Sequence, residues 1–368
     1  MLYKNIVIKF GTSTLTQGTN HLSRPHMVEL VRQVSHAHSL GCEIIMVSSG
    51  AIAAGRERLN FPELPKYVPS KQMLAAVGQT FLMDVYTQLF NIFGITVAQI
   101  LLTRSDFIDR TRYLNARNTI NALLSHNVIP IVNENDTVAV EEICFGDNDN
   151  LSAMVANLVE SDLLVLLTDQ KGLYTQDPSI NPEAELMTQI DSRNIADELW
   201  VSAGSSKNGL GTGGMTTKLH ATDLARRAGI PVIIASGKEN DVITRIICGE
   251  KIGTFFTSVS SKLESRKRYL LLGIQSSNTI VVDEGAENAI KNGSSLLPIG
   301  IKMIKGTFDR GEAVKIVSLN NQDIAIGHVN YSSPDLQNIY GHHSNDIETI
   351  LGYTYGEEVI HHNNMVIL

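Results

Sequence analysis

The chain has 368 residues, 43% of them hydrophobic and 18% charged, with a net charge of −8. This is the composition of an ordinary soluble globular protein with material for two domains, one large and one small. The acidic balance argues against nucleic acid and anionic membranes as partners, while leaving room for a locally basic cleft that takes an anionic substrate.

The first residues lead directly into Ile6-Val7-Ile8 with no signal-peptide pattern. The longest apolar runs, such as Leu163 to Leu167, have the length of strands and are too short to span a bilayer. Cys42, Cys144 and Cys248 are scattered and form no CxxC pair, which fits a reducing cytoplasm rather than a disulfide framework or a zinc site. Buried strands are expected at Ile6–Ile8, Ile44–Val47, Thr96–Leu101, Val128–Val132, Leu163–Leu167 and Pro231–Ala235. Helical patterns lie between them at Pro25–Leu40, Lys71–Phe90, Tyr113–Ser125, Leu151–Glu160 and Met215–Ala228. The alternation predicts an α/β fold around a mostly parallel sheet, with ligands beyond the carboxyl ends of the strands. Polar loops follow Ile8, Val47, Val132 and Leu167, where that rule wants them. Ser258 to Arg268 is Ser-rich and basic and reads as a linker. Beyond it, short strands, Gly-Ser turns and a helix near Glu284–Lys291 predict a small β-rich module.

Three glycine-containing loops could hold phosphate. Lys9-Phe10-Gly11-Thr12-Ser13 combines small residues, whose amides can approach an anion, with a lysine counter-charge; Gly-Thr-Ser is also a common turn. Ser48-Ser49-Gly50-Ala51 opens a helix, either as a close-packed start or as a ligand loop. The segment from Gly209 to Lys218 has four glycines in six residues before a helix that carries a lysine, an anion cradle at a positive dipole end. It follows a loop rather than a strand and lacks the acid that a dinucleotide fingerprint needs near residue 230, and the chain contains no GxxxxGK[ST] P-loop.

Acids and amides gather in two bursts, Asn133-Glu134-Asn135-Asp136 and Asp147-Asn148-Asp149-Asn150. Such residues are common in turns. Together they also suit an amino-acid ligand, with Asp for the ammonium and amides for a carboxylate. The second burst lacks the spacing of a calcium-binding EF-hand loop. Thr168 to Pro178 is a nucleotide-sized loop after a strand. The pairs His342-His343 and His361-His362 read as surface or satisfied histidines, and Trp200 as a packing residue.

Taken in order, these loops resemble the amino-acid kinase family, in its glutamate 5-kinase branch with a C-terminal PUA domain. The similarity runs over essentially the whole chain. It is carried by VIKFGTSTLT, MVSSGAIAAGRERL, SKQMLAAVGQ, LLTRSDFIDRTRYLNARNT, VNENDTVAVEEICFGDNDNLSA, LLTDQKGLYTQDP, GLGTGGMTTKL, VDEGAENAIKNGSSLLPIGI and GHHSNDIETILGY. NENDTVA, GDNDNLSA and GTGGMTTK are specific to this branch; acetylglutamate kinases and aspartokinases share the scaffold but not those loops.

The resemblance implies an amino-acid-kinase-type sandwich over residues 1–257, a linker over 258–272, and a PUA domain with a C-terminal tail over 273–368. It implies transfer of the γ-phosphoryl group of ATP to the side-chain carboxylate of L-glutamate, the first step of proline biosynthesis. Lys9 and Lys218 would flank the migrating group, with Asp149 holding the two lysines in register. Ser49, Asp136, Asn148, Asn133 and Asp147 would bind glutamate. ATP would be held by Lys9, Gly11, Thr168, Asp169, Thr212, Gly213, Gly214, Met215, Thr216, Thr217 and Lys218, with the Gly50 amide near the phosphoryl group. Mg2+ would ride on the phosphates through water, with no protein ligand set of its own. Feedback inhibition by proline, a homotetramer and contact with glutamyl-phosphate reductase are also implied. The rivals are another amino-acid kinase, acting on acetylglutamate or aspartate, and RNA binding through the PUA domain. Against RNA, residues 276–354 carry Lys291, Lys302, Lys305, Arg310 and Lys315 beside nine acids, which is no electropositive footprint.

Overall fold

The computed structural model describes residues 2–65, 67–139, 148–178, 180–203, 214–261 and 274–368. The chain divides into two compact units, Met1–Phe107 with Ala116–Lys262, and Ile108–Asn115 with Leu263–Leu368.

Up to residue 256 the elements run β1 (Asn5–Phe10), α1 (Thr12–Thr16), α2 (Arg24–Ser39), β2 (Glu43–Ser48), α3 (Ala51–Arg58), α4 (Val68–Asn91), β3 (Val97–Leu102), α5 (Arg104–Ile108), α6 (Arg110–Ser125), β4 (Ile129–Glu134), α7 (Asn148–Leu158), β5 (Leu163–Thr168), β6 (Gln189–Ile190), α8 (Asp197–Ser202), α9 (Met215–Arg227), β7 (Val232–Ser236), α10 (Val242–Ile247) and β8 (Thr254–Phe256). The eight strands form one sheet in the order β3-β4-β2-β1-β5-β7-β8-β6. Every pairing is parallel except β7 with β8. The continuous apolar runs of β1, β2 and β5 follow from burial on both faces, as parallel sheets require.

The two faces are told apart by the period of two along β1. Ile6, Ile8 and Phe10 join a core with Met27, Leu30 and Val34 of α2, Leu82, Val85 and Phe90 of α4, and Val242 and Ile246 of α10. The opposite parity puts Val7 and Lys9 toward the layer that contains α7, which also packs on α9. The order β4-β2-β1-β5 makes neighbours of the four strands whose loops the sequence singled out.

All six expected strands are present, and most run further into polar sequence than expected. Lys9, Ser48, Asn133, Glu134 and Thr168 are strand residues rather than loop residues. The ladder carries them: Lys9 pairs with Val47 and Leu166, and Phe10 with Ser48 and Leu167. Within the expected phosphate loop after β1, Thr12–Thr16 forms a short helix.

The second unit has the elements β9 (Ile274–Val282), α11 (Glu284–Lys291), β10 (Ile301–Lys305), β11 (Ala313–Val317), β12 (Asp323–His328), α12 (Ser333–Ile339), α13 (Ile347–Leu351) and β13 (Met365–Ile367). Its five-stranded sheet, β10-β9-β11-β12-β13, is antiparallel apart from β9 with β11. Asp283 caps α11 by accepting from Ala286 N, and Ser332 with Asp335 forms a capping box on α12. Ile280, Val282, Ile290, Val314, Ile316 and Leu336 are among its core residues.

Of the expected linker, Val259 and Ser260 are tied to the end of α9: Val259 N donates to Arg226 O (3.1 Å), and the Ser260 hydroxyl to Arg227 O (2.6 Å). Residues 262–272 lie outside the described residues. Among the described residues no helix is long and apolar enough to cross a membrane.

Candidate active site

Three buried charged residues from three elements meet at the carboxyl end of β1. Lys9 is the penultimate residue of that strand, Asp149 lies in the first turn of α7, and Lys218 lies in the first turn of α9. Lys9 Nζ stands 2.5 Å from Asp149 Oδ1 and Lys218 Nζ stands 3.3 Å from Asp149 Oδ2. Thr217 Oγ1 lies 2.7 Å from the same Oδ2 and 2.8 Å from Gly214 O, with its one proton shared between the two acceptors, joining the start of α9 to the carboxylate. Burial alone would raise the Asp149 carboxyl, but the two ammonium groups more than offset it and hold it at about 2. Burial pushes the Lys218 ammonium down; Asp149 and Asp169 oppose that, and Lys9 adds to it. Two cations around one anion leave a buried excess of positive charge, suited to a phosphoryl group.

The nucleotide residues inferred from sequence surround this triad in part. Gly11 N donates to Leu167 O (3.4 Å), joining the ends of β1 and β5, and Thr168 Oγ1 donates to Asp169 Oδ1 (3.0 Å). A side chain at Gly11 would put its Cβ 3.6 Å from Lys9 Nζ, so the glycine keeps open the space beside that ammonium. Gly214 caps α9, and Met215, Thr216 and Thr217 form its first turn with Lys218. Thr212, Gly213 and Asp147 lie outside the described residues.

The other half of the site is built by α3 and α4. Gly50 has φ +102°, a left-handed conformation that favours glycine, and lets the chain turn from Ser49 into α3. The two helices then cross backbone to backbone: a Cβ on Gly78 would fall 1.7 Å from Ala51 O, and one on Gly55 would fall 1.9 Å from Leu74 O. That approach brings polar groups of α4 to the strand ends. The Tyr86 hydroxyl bonds Ser48 Oγ (2.9 Å), which also reaches Ser49 O (2.9 Å). Asn133 at the end of β4 donates from Nδ2 to Gln79 Oε1 (2.7 Å) and accepts Glu134 N at Oδ1 (2.9 Å). Gln79, Gln99, Glu134, Asn135, Asp136 and Ala51 line a cleft of about 220 Å3. Asn148 Oδ1, at the start of α7, is buried with no hydrogen-bond partner among the described residues.

The structure therefore joins Lys9, Asp149, Lys218 and Thr217 directly, places Asp136 in the lining of the cleft beside α4, and buries Asn133 behind it, bonded to the lining residue Gln79. The roles of Ser48, Gln79, Gln99 and Tyr86 escaped sequence reasoning. Gln79 lies in the segment SKQMLAAVGQ, which carries the resemblance, but no spacing marks it as functional. Trp200 of α8 packs on His220 of α9, with ring centroids 4.7 Å apart.

The resemblance also implies Mg2+ at this site. Among the described residues no three His, Cys, Asp or Glu side chains gather as a metal group, and Asp149 is engaged by two lysines. The donor set fits an ion that takes its oxygens from phosphates and water, as Mg2+ commonly does.

Residues 4–236 match the amino acid kinase family, and residues 278–351 match the PUA domain. The chain belongs to the amino acid kinase family. Its relatives include proteins named glutamate 5-kinase from Shewanella sediminis (52% identical, covering 100% of this chain and 98% of the relative) and Proteus mirabilis (53% identical, 99% of each). A third, from Escherichia coli O1:K1, is 53% identical over 99% of this chain and 98% of its own length. Among solved structures, UMP kinase from Bacillus anthracis covers 71% of this chain and 98% of its own, at 17% identity and a TM-score of 0.47. The family match contains all of the first sheet except β8, and with it Lys9, Asp149 and Lys218.

Proposed function

We propose that the chain transfers the γ-phosphoryl group of ATP to the side-chain carboxylate of L-glutamate, giving L-glutamyl 5-phosphate and ADP, the reaction that opens proline biosynthesis. The observation that carries the phosphoryl-transfer reading is the buried Lys9–Asp149–Lys218 triad at the switch between strand ends. The acceptor is read from the full-length relatives, which are named for glutamate.

In this reading the carboxylate oxygen of glutamate attacks the γ-phosphorus and the bond to the bridging oxygen of ADP breaks. Such a transfer offers little covalent work to the protein, so rate comes from alignment and charge. Lys9 and Lys218 face the oxygens of the migrating group, and Asp149 fixes their spacing. The Gly50 amide lies near the phosphoryl oxygens, while Gly11, whose own amide is engaged by Leu167 O, leaves room for them beside Lys9 Nζ. Thr168, Asp169 and the stretch Thr212 to Lys218 hold ATP. Asp136 takes the glutamate ammonium, while Ser49, Asn133, Asp147 and Asn148 complete the acceptor site; the orphaned Asn148 Oδ1 supports its share. Mg2+, carried in on the phosphates, supplies charge neutralisation there.

A cytoplasmic setting, a homotetramer, inhibition by proline and hand-over to glutamyl-phosphate reductase complete the reading. Acetylglutamate or aspartate as acceptor, and RNA binding through the PUA domain, are not favoured. The test is ADP release with ATP, Mg2+ and each of glutamate, aspartate and acetylglutamate. Glutamate should be preferred by a wide margin; equal or greater turnover with another acceptor would overturn the assignment.

A further inference from the structure

The amide groups beside the cleft form a chain whose direction is fixed from one end. Glu134 N can only donate, so the Asn133 atom that it meets at 2.9 Å is the oxygen. Asn133 Nδ2 must then donate, and Gln79 accepts it through Oε1 at 2.7 Å. The Gln79 amide is thereby oriented too, and its Nε2 donates to Gln99 Oε1 at 3.2 Å. A backbone N–H thus sets the sense of three side-chain amides drawn from β4, α4 and β3.

Asn133 is buried at the floor of this arrangement, whereas Gln79 and Gln99 line the cleft itself together with Asp136. Without an acceptor at Gln79, the Asn133 amide would lose the partner that holds its remaining N–H in one direction. The helix that carries Gln79 is itself held in place by the neighbouring glycine contact, Gly78 against Ala51 O. A rigid backbone, a fixed rotamer and a fixed amide sense are what pre-organisation of a small polar ligand requires.

We propose that Gln79 is a positioning residue for the acceptor substrate: through the relay Gln99–Gln79–Asn133 it fixes the amide that meets the amino acid, and so sets acceptor affinity rather than nucleotide affinity. This rests on the reading of the cleft as the glutamate site. Gln79 acts through Asn133, and Gln99 acts through Gln79.

The experiment measures kcat and both KM values for the full-length chain and for Gln79→Met, Gln99→Met and the double variant. Methionine keeps the length of the side chain and removes the hydrogen bonds. Losing a partner for a buried amide predicts a rise in KM for glutamate of about tenfold or more in Gln79→Met, with KM for ATP changed less than about twofold. Gln99→Met should give a smaller rise of the same kind. The double variant should be no worse than Gln79→Met, because the two side chains act in series. An unchanged KM for glutamate in Gln79→Met, or a parallel rise in both KM values, overturns the proposal. Should Gln79→Met prove insoluble, Gln99→Met at its exposed position decides: no rise in KM for glutamate overturns the relay. A parent enzyme with no glutamate-dependent ADP release fails the acceptor reading, and the relay with it. An active parent with an indifferent Gln79 fails the relay alone.

Discussion

Replacing Asp149 by Asn keeps the shape of the side chain and removes the negative charge that faces Lys9 at 2.5 Å and Lys218 at 3.3 Å. In the parent, burial works against the ionised carboxyl, yet it is held at about 2 against an ordinary 3.8. That net displacement corresponds to about 2 kcal/mol in favour of the charged form. The variant loses more than this, because two buried ammonium groups are left facing a neutral amide; breaking a buried ion pair from one side costs about 3–5 kcal/mol. Measured by urea unfolding near neutral pH, the variant should be less stable by about that amount, a large part of the roughly 5–15 kcal/mol of a typical domain. The pH dependence has a definite sign. The folded carboxyl titrates below its unfolded value, so the parent's advantage is complete above about pH 4 and fades as pH falls toward about 2. Turnover should fall by about 10² to 10³, with KM for ATP less affected, since the lysine spacing matters most when charge moves between the phosphoryl oxygens. A variant that unfolds with the parent at neutral pH and turns over within about threefold of it would refute the reasoning.

Lys218→Met and Lys9→Met should each lower kcat by about 10² to 10⁴ in ADP-release assays. Because burial lowers the Lys218 ammonium, the alkaline limb of kcat should lie below the ordinary lysine range and move upward in whatever activity Lys218→Arg retains. Asp136→Asn should raise KM for glutamate with little change for ATP; a joint rise would make Asp136 a structural loop residue. Gly78→Ala should destabilise the fold by about 1–3 kcal/mol, read by thermal unfolding, because its Cβ meets Ala51 O at 1.7 Å and one helix must move. A chain ending at Ser261 should keep glutamate-dependent ADP release, since every described residue assigned to the site lies in the first unit; a soluble, folded, inactive fragment would place support for the site in the second unit.

The alternation of apolar runs with helical periods was enough to read the parallel sheet, because β1, β2 and β5 are buried on both faces and need apolar residues at every position. It misjudged where strands end. Lys9 and Thr168 looked like loop residues because they are polar, but the ladder continues through them; Lys9 pairs with Asp149, and the Thr168 hydroxyl donates to the adjacent Asp169 side chain. The start of α7 was expected near Leu151, where apolar residues begin. The helix opens at Asn148 instead, because Asp149 suits the first turn and pairs with two lysines. The grouping of Lys9, Asp149 and Lys218 came from resemblance, since no spacing rule joins residues so far apart. Gln79 and Tyr86 left no signal because their partners Asn133 and Ser48 stand 54 and 38 positions away, and only the crossing of α3 and α4 brings them together.

Trapping the product tests the central claim most directly. Incubation of the full-length chain with ATP, Mg2+, L-glutamate and hydroxylamine lets hydroxylamine attack the acyl carbon of an acyl phosphate, releasing inorganic phosphate and leaving a hydroxamate. Glutamate 5-hydroxamate is expected by mass spectrometry, formed in step with ADP, dependent on both substrates and lost in Lys218→Met. Release of ADP without hydroxamate, or a hydroxamate on the α-carboxylate, would contradict the claim.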